Sequence, residues 1–296
     1  MKKPKNIQCL VDWAEQYLAT KKINNPRYNS EEILAYVMSD NRLNIIVNRN
    51  KIIPKKKYNE FKRLIRKRAK GEPLDYILKE TNFYGISLYV DKNVLIPRNE
   101  TGIMVDKILD FRNMDKNTLI IDIGTGSGAI AIALAKNINH ADIIATDISK
   151  KALDIAKLNS KRLGIYKKIR FLYGRLLKPI NKNIFKKYNQ IILAANLPYV
   201  ESKYLNNLKK QRMLYEPETA LNGGQDGLKT IRKLICDLKE IKNKLSRDNV
   251  FNLYLELAES QIKKVSNIIK KNIINAKINI YKDYYKKNRI IHVMFI

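Results

Sequence analysis

The sequence predicts an α/β fold: a mostly parallel, doubly wound sheet preceded by a small helical bundle. Three observations carry this expectation. Apolar residues recur at helical spacing over positions 1–75, strand and helix patterns alternate from position 118 onward, and a glycine-rich turn joins the first of those strands to its helix. At 296 residues, 45% of them apolar, the chain can bury the core of one large domain or of two smaller ones.

The helical part rests on three segments. Residues 11–18 carry helical apolar spacing, Ser30 is placed to cap a helix running to 38, and residues 58–69 set Phe61, Leu64 and Ile65 against Lys62, Arg63, Arg66, Lys67 and Arg68. Gly71-Glu72-Pro73 then stops the helix. From 81 the period changes. Runs 82–90 and 94–96 read as a hairpin around Asp91-Lys92-Asn93, and a helix follows near 105–111. These signals divide the chain into a helical domain at 1–78, a β-hairpin linker at 79–100 and a second domain at 101–296. In the second domain strands are expected at 118–123, 142–146, 168–173, 189–195 and 249–257, with helices at 129–136, 150–163 and 227–245. Two last strands, 276–281 and 289–295, have no long helix between them, which predicts an antiparallel edge hairpin.

Composition excludes several classes of protein. Cys9 and Cys236 are too few and too far apart for a disulfide framework, and with only His140 and His292 beside them no metal centre is expected. No apolar run reaches the ~20 residues of a membrane span. The basic start Met1-Lys2-Lys3-Pro4-Lys5 leads into no apolar segment, so a cytoplasmic protein is expected. Charge is lopsided, with 58 Lys+Arg against 28 Asp+Glu and a net +30. A polyanionic partner such as RNA or the ribosome would account for it. So would a composition rich throughout in Lys, Asn, Ile and Tyr, and the spread of basic residues along the chain leaves both explanations open.

Candidate chemistry concentrates at two strand ends. Ile120-Ile121-Asp122-Ile123 runs into Gly124-Thr125-Gly126-Ser127-Gly128 and then a helix. Glycines let a backbone approach a ligand closely, and the helix start behind them presents free N–H groups. Asp147 ends the next strand, where a carboxylate can accept hydrogen bonds from ribose hydroxyls. The spacing is neither the dinucleotide G-x-G-x-x-G nor a P-loop. The fourth strand ends at Asn196-Leu197-Pro198-Tyr199. There the Asn196 amide oxygen and the Leu197 carbonyl can accept from an NH2 donor, Pro198 keeps Leu197 extended, and Tyr199 offers a ring to stack on. Such a strand end suits a planar, nitrogen-bearing group.

The Asp-x-Gly-x-Gly-x-Gly run at 122–128 resembles the S-adenosylmethionine loop of the seven-stranded class I methyltransferases, a Rossmann-like fold. In that family the fourth strand ends in an Asn-Pro-Pro-Tyr type of motif when the acceptor is a planar nitrogen. Further stretches sharpen the likeness: Gly71-Glu72-Pro73-Leu74, Phe83-Tyr84-Gly85, Leu95 through Thr101, Tyr215 through Leu221, and Gly223 through Leu228. Over nearly the whole chain these resemble the HemK/PrmC family, which methylates the side-chain nitrogen (N5) of the glutamine in the Gly-Gly-Gln motif of peptide-chain release factors. The resemblance implies S-adenosyl-L-methionine as methyl donor. It assigns Gly124, Thr125, Gly126, Ser127 and Gly128 to the methionine moiety, Asp147 to the ribose, and Asn196, Leu197, Pro198 and Tyr199 to the glutamine, with Asn196 bordering the cofactor as well. The helical domain would help recognise the protein substrate. Gly223-Gly224-Gln225 reads as part of the enzyme's own segment and not as a target.

Two positions depart from the family pattern. Leu197 stands where proline is usual, and Gly174-Arg175-Leu176 stands where an acidic residue is often found. Two rival readings remain. The Asn-Leu-Pro-Tyr form also resembles that of rRNA adenine dimethyltransferases, so an N6-adenine methyltransferase acting on rRNA or DNA is the alternative, although those enzymes carry the cofactor loop near the N-terminus. A non-catalytic ribosome- or RNA-binding protein that kept the fold is the third.

Overall fold

The helix-patterned and strand-patterned parts of the sequence separate into two units, Met1–Glu80 and Thr81–Ile296. In the computed structural model, residues 6–111, 117–211, 213–243 and 249–296 are described. The basic start at 1–5 and the last two positions of the helix expected at 227–245 lie outside the described residues.

The first unit holds α1 (Ile7–Thr20), α2 (Pro26–Met38), α3 (Arg42–Val47), α4 (Lys55–Ala69) and α5 (Leu74–Leu78). Leu10, Ala14, Leu18, Ile33, Leu34, Phe61 and Ile65 form its core. Helix α2 starts earlier than its expected cap. Pro26 takes the first turn, where a missing N–H costs nothing, and the Ser30 hydroxyl instead donates to the Pro26 carbonyl at 2.8 Å within the helix. Glu31 is buried and accepts from Arg27 Nε at 3.0 Å and Arg42 Nε at 2.8 Å, which ties α2 to α3. The short helices α3 and α5 were not expected from the sequence pattern.

The second unit opens with β1 (Thr81–Phe83) and β2 (Ile86–Leu88), an antiparallel pair. Its turn is Tyr84-Gly85, both left-handed at φ 55° and 70°, as a two-residue type I′ hairpin requires. The expected hairpin thus closes within the first of its two runs. The Asp91–Asn93 stretch is a side-chain-closed turn, Asp91 accepting from the Asn93 N–H at 2.8 Å, and residues 94–96 form no strand of the described sheets. After a 3-10 turn at Asn99–Thr101 come α6 (Gly102–Leu109), β3 (Thr118–Ile123), α7 (Ala129–Asn137), β4 (Asp142–Asp147), α8 (Lys150–Arg162), β5 (Ile169–Tyr173) and β6 (Gln190–Ala195). Then follow α9 (Ser202–Lys210), α10 (Glu218–Leu221), α11 (Lys229–Lys242), β7 (Val250–Glu256), α12 (Ile262–Asn272), β8 (Lys277–Lys282) and β9 (Asn288–Phe295).

Seven strands form one sheet in the order β5-β4-β3-β6-β7-β9-β8. The first five are parallel, β9 runs antiparallel to β7, and β8 pairs antiparallel with β9. This is the doubly wound α/β sheet with an antiparallel edge hairpin that the sequence predicts. Its central strands β3 and β6 are buried along their whole length, as strands covered on both faces must be. Alternate residues feed opposite cores: Leu119, Ile121 and Ile123 pack on one face and Ile120 on the other. The chain leaves β3 toward β4 on one side and reaches β6 on the other, so the carboxyl ends of β3 and β6 flank the switch point where open α/β sheets hold ligands. Among the described residues, no helix is long and apolar enough to cross a membrane.

Gly128 secures α7 against α8. It takes a left-handed φ of 86° at the α7 N-cap, and a Cβ there would meet Ile132 Cδ1 at 3.0 Å and Ala156 Cβ at 3.1 Å. Gly128→Ala is therefore expected to lower unfolding free energy by about 1–3 kcal/mol from backbone strain and crowding, read by chemical denaturation. An unchanged midpoint would refute the packing account.

Candidate active site

In the parallel ladder between β3 and β6, Ile123 lies opposite Ala195. The glycine turn after β3 and the Asn196 turn after β6 therefore leave the sheet side by side. Between them and the end of β4 lies a cavity of about 520 Å³. Of the expected site residues, Gly124, Thr125, Gly126, Ser127, Asp147, Asn196, Leu197 and Pro198 line it. Gly128 and Tyr199 do not.

The glycine turn is clamped by β4. The Thr146 carbonyl accepts from the N–H groups of Gly124 and Thr125 at 2.8 and 2.9 Å. Asp147 Oδ2 accepts from the Gly126 N–H at 2.9 Å, and its Oδ1 from the Ser149 N–H at 2.8 Å. Burial pushes the Asp147 carboxyl above its ordinary range despite these donors. Asp122, the acidic residue that opens the motif and to which the resemblance assigns no role, braces the turn from beneath. Its Oδ2 accepts from Thr125 Oγ1 at 2.6 Å and from the Ala131 N–H at 3.1 Å, so one carboxylate holds both the turn and the first turn of α7. Its Oδ1 is buried and has no hydrogen-bond partner among the described residues, and burial raises the carboxyl to about 6.

Asn196 Nδ2 donates to Thr101 Oγ1 at 3.1 Å, and Thr101 Oγ1 donates to Glu256 Oε2 at 2.6 Å. Both Thr101 and Glu256 are buried, and neither was singled out from sequence. Leu197 is buried against the glycine turn; a Cβ on Gly124 would lie 3.3 Å from Leu197 Cδ2. Tyr199 is not among the residues that line the cavity. Its hydroxyl reaches Glu256 Oε1 at 3.4 Å, its ring packs on the core, and its carbonyl accepts from Gln261 Nε2 at 2.9 Å. Burial, with Glu256 nearby, pushes the phenol up to about 12.

The remaining wall joins segments distant in sequence. Glu216 accepts from the Ile96 N–H at 3.0 Å and from Arg98 Nη2 at 2.6 Å, bringing Leu95 and Pro97 together with Pro217 and Glu218 around the cavity. The Gly223–Gly227 segment braces the Asn196 turn from behind. Gly223 N–H donates to the Val200 carbonyl at 2.9 Å, and a Cβ on Gly227 would sit 2.3 Å from the Tyr199 oxygen. Gly174, Arg175 and Leu176 line the far end together with Ile148, which is 56% exposed and supplies apolar surface there.

The raised carboxyl of Asp122 sets a pH dependence of stability. A folded-state value above the unfolded one means the folded chain holds the proton more tightly, so this contribution is lost as pH rises from about 4, the unfolded value, to about 6. Asp122→Asn keeps an acceptor for Thr125 and Ala131 and removes the ionisation. Relative to the parent chain it is expected to gain stability steadily across that window in denaturant titrations; a difference that does not vary with pH would rule the assignment out.

Two family models match the chain. One described as the PrmC N-terminal domain matches residues 10–78, and one described as a methyltransferase domain matches residues 114–274. A release factor glutamine methyltransferase of Buchnera aphidicola subsp. Schizaphis graminum is 39% identical over 73% of this chain and 77% of its own length. The protein of the same name from Thermodesulfovibrio yellowstonii is 36% identical over 88% of this chain and 90% of its own. Among solved structures, the hMettl16 catalytic domain in complex with a MAT2A 3′UTR hairpin aligns with a TM-score of 0.54 at 13% identity, over 78% of this chain and 80% of that one, a likeness of fold. With a matching model in each unit and relatives aligned along most of their length, the chain belongs to the release factor glutamine methyltransferase family.

Proposed function

We propose that the chain transfers a methyl group from S-adenosyl-L-methionine to the side-chain amide nitrogen, N5, of the glutamine in the Gly-Gly-Gln motif of peptide-chain release factors. The observation that carries this reading is the position of Asn196: it lines the same cavity as the glycine turn, with its NH2 group already engaged by Thr101. An amide so held has its oxygen available as an acceptor.

The cavity residues suit the cofactor. Asp147 spends one lone pair on each of two backbone N–H groups and keeps acceptor capacity for ribose hydroxyls. Gly124 and Gly126 allow close approach without side chains. Ile148 and Leu176 give a flat base apolar contact, which makes up for the lack of an acidic residue at Arg175. When bound, the cofactor supplies an electrophilic methyl group on a positively charged sulfur. The chain's own contribution is orientation. Asn196 Oδ1 and the Leu197 carbonyl accept the two N–H groups of the glutamine amide, and Pro198 keeps the Leu197 carbonyl in place. Fixing the amide plane removes most of the entropic cost of alignment, and two acceptors support positive charge as it develops on nitrogen. No strong base is required, because the added proton leaves once the nitrogen carries its methyl group.

The first unit is assigned to recognition of the release factor. Its match to the PrmC N-terminal domain supports this, as do Leu43, Val47 and Ile52, which leave apolar side chains exposed. The basic α4 residues Lys62, Arg63 and Arg66, within a net charge of +30, suit an additional contact with RNA or the ribosome, in the cytoplasm.

The direct test offers the enzyme labelled cofactor with either release factor or rRNA. Label on the glutamine of the release factor supports the reading; label on adenine alone would replace it with the N6-adenine alternative. Asn196→Ala is expected to abolish transfer while cofactor affinity stays within a few-fold, and near-normal turnover would remove Asn196 from the role of acceptor. Asp147→Ala is expected to weaken cofactor binding by about 1–3 kcal/mol, the loss of hydrogen bonds to a charged group. Calorimetry showing unchanged affinity would mean that another group holds the ribose.

A further inference from the structure

We infer that Thr101 and Glu256 are positioning residues that decide which way round the Asn196 amide stands. The inference rests on the glutamine-methylation reading and adds what aims its acceptor. The two ends of a carboxamide are nearly alike in size, so packing alone does not distinguish oxygen from NH2; hydrogen-bond polarity does. Thr101 has a single hydroxyl proton, and Oγ1 lies 2.6 Å from Glu256 Oε2, the length of a charge-assisted bond. With that proton committed, Oγ1 can only accept on its other side. The group 3.1 Å away on Asn196 must then be the NH2, and Oδ1 is left for the substrate.

The relay is built into the fold rather than added at its surface. Thr101 is 3% exposed at the turn before α6, and Glu256 is 2% exposed at the end of β7, one strand across from Asn196. Thr101 and Asn196 both border the cavity, whereas Glu256 lies behind them, so the relay carries the polarity of a buried carboxylate to the cavity wall. The second oxygen of Glu256 faces the Tyr199 hydroxyl, so both oxygens act as acceptors. A reversed Asn196 amide would turn two N–H groups toward the incoming NH2 group of the substrate, donor against donor. Two residues with no place in the strand-end motif thereby set its polarity.

Thr101→Val preserves shape and removes the relay; Thr101→Ser preserves the relay. Assayed as the whole chain with labelled cofactor and release factor, Thr101→Val is expected to lose about tenfold or more in kcat, while KM for release factor and cofactor affinity stay near those of the parent and the protein remains folded. Thr101→Ser is expected to restore kcat to within a few-fold. In Glu256→Leu the acceptor is gone and the Thr101 proton is free to turn toward Asn196 Oδ1, so kcat falls several-fold with cofactor affinity unchanged. A folded, cofactor-binding Thr101→Val with normal kcat overturns the inference, and if that variant does not fold, normal kcat in a folded Glu256→Leu overturns it equally. Parent enzyme that labels no release factor would sink the functional reading instead, whatever the variants do.

Discussion

Parallel pairing of β3 with β6, in the one register that sets Ile123 against Ala195, is the constraint on which the rest of this molecule depends. Side chains alternate along a strand, so a slip of one residue would exchange the two faces of β6 and carry Asn196 from the cavity wall into the packed layer. Burial of every residue in both strands makes such a slip costly. The glycine turn follows from the same pairing on the other side, since β4 pairs with β3 and presents the Thr146 carbonyl to Gly124 and Thr125. Two turns that carry different tasks are thus held in one frame by backbone hydrogen bonds.

The frame was legible because buried parallel strands are written as nearly unbroken apolar runs. Leu119 through Ile123, interrupted by Asp122 alone, and Ile191 through Ala195 stop abruptly at glycine and at Asn196-Leu197-Pro198, so their ends could be read closely. What was not legible is whatever depends on pairs far apart in the chain. Thr101 and Glu256 meet across 155 positions, and no local pattern marks either residue as a partner of Asn196. Tyr199 belongs to the motif, yet its ring faces Glu256, a fact that only the fold determines. The hairpin at Tyr84-Gly85 was missed because tyrosine is an uncommon choice for a left-handed position. Helix α12 was not expected either, although Ile262, Val265 and Ile269 sit at helical spacing on its buried face and carry a signal that could have found it.

Leucine at 197 illustrates how a departure from a family pattern can be absorbed. The backbone carbonyl is the atom a substrate amide would meet, and any residue supplies one. The leucine side chain adds contact with the glycine turn, 4% exposed and close enough that a Cβ on Gly124 would touch it. Gly124 and Leu197 are thereby packed against each other. Displacing either turn disturbs its neighbour, which couples the two turns through van der Waals contact.

Preorganisation of the Asn196 turn comes from three directions that share no residue. Thr101 engages the Asn196 amide from the turn before α6, Gln261 donates to the Tyr199 carbonyl from the start of α12, and Gly223 donates to the Val200 carbonyl from the segment after α10. Gly227 lies so near the Tyr199 oxygen that no side chain fits between them. That contact gives Gly223-Gly224-Gln225-Asp226-Gly227 a structural purpose, and its Gly-Gly-Gln run is accounted for by packing and turn geometry, with no need for methylation of its own glutamine. A turn restrained this fully has little freedom left to lose when a substrate amide docks, so the energy of docking goes into alignment rather than ordering. The chemistry of a methyl transfer asks for little else from the protein: an electrophile and a nitrogen held in line, and acceptors that do not move as charge develops between them.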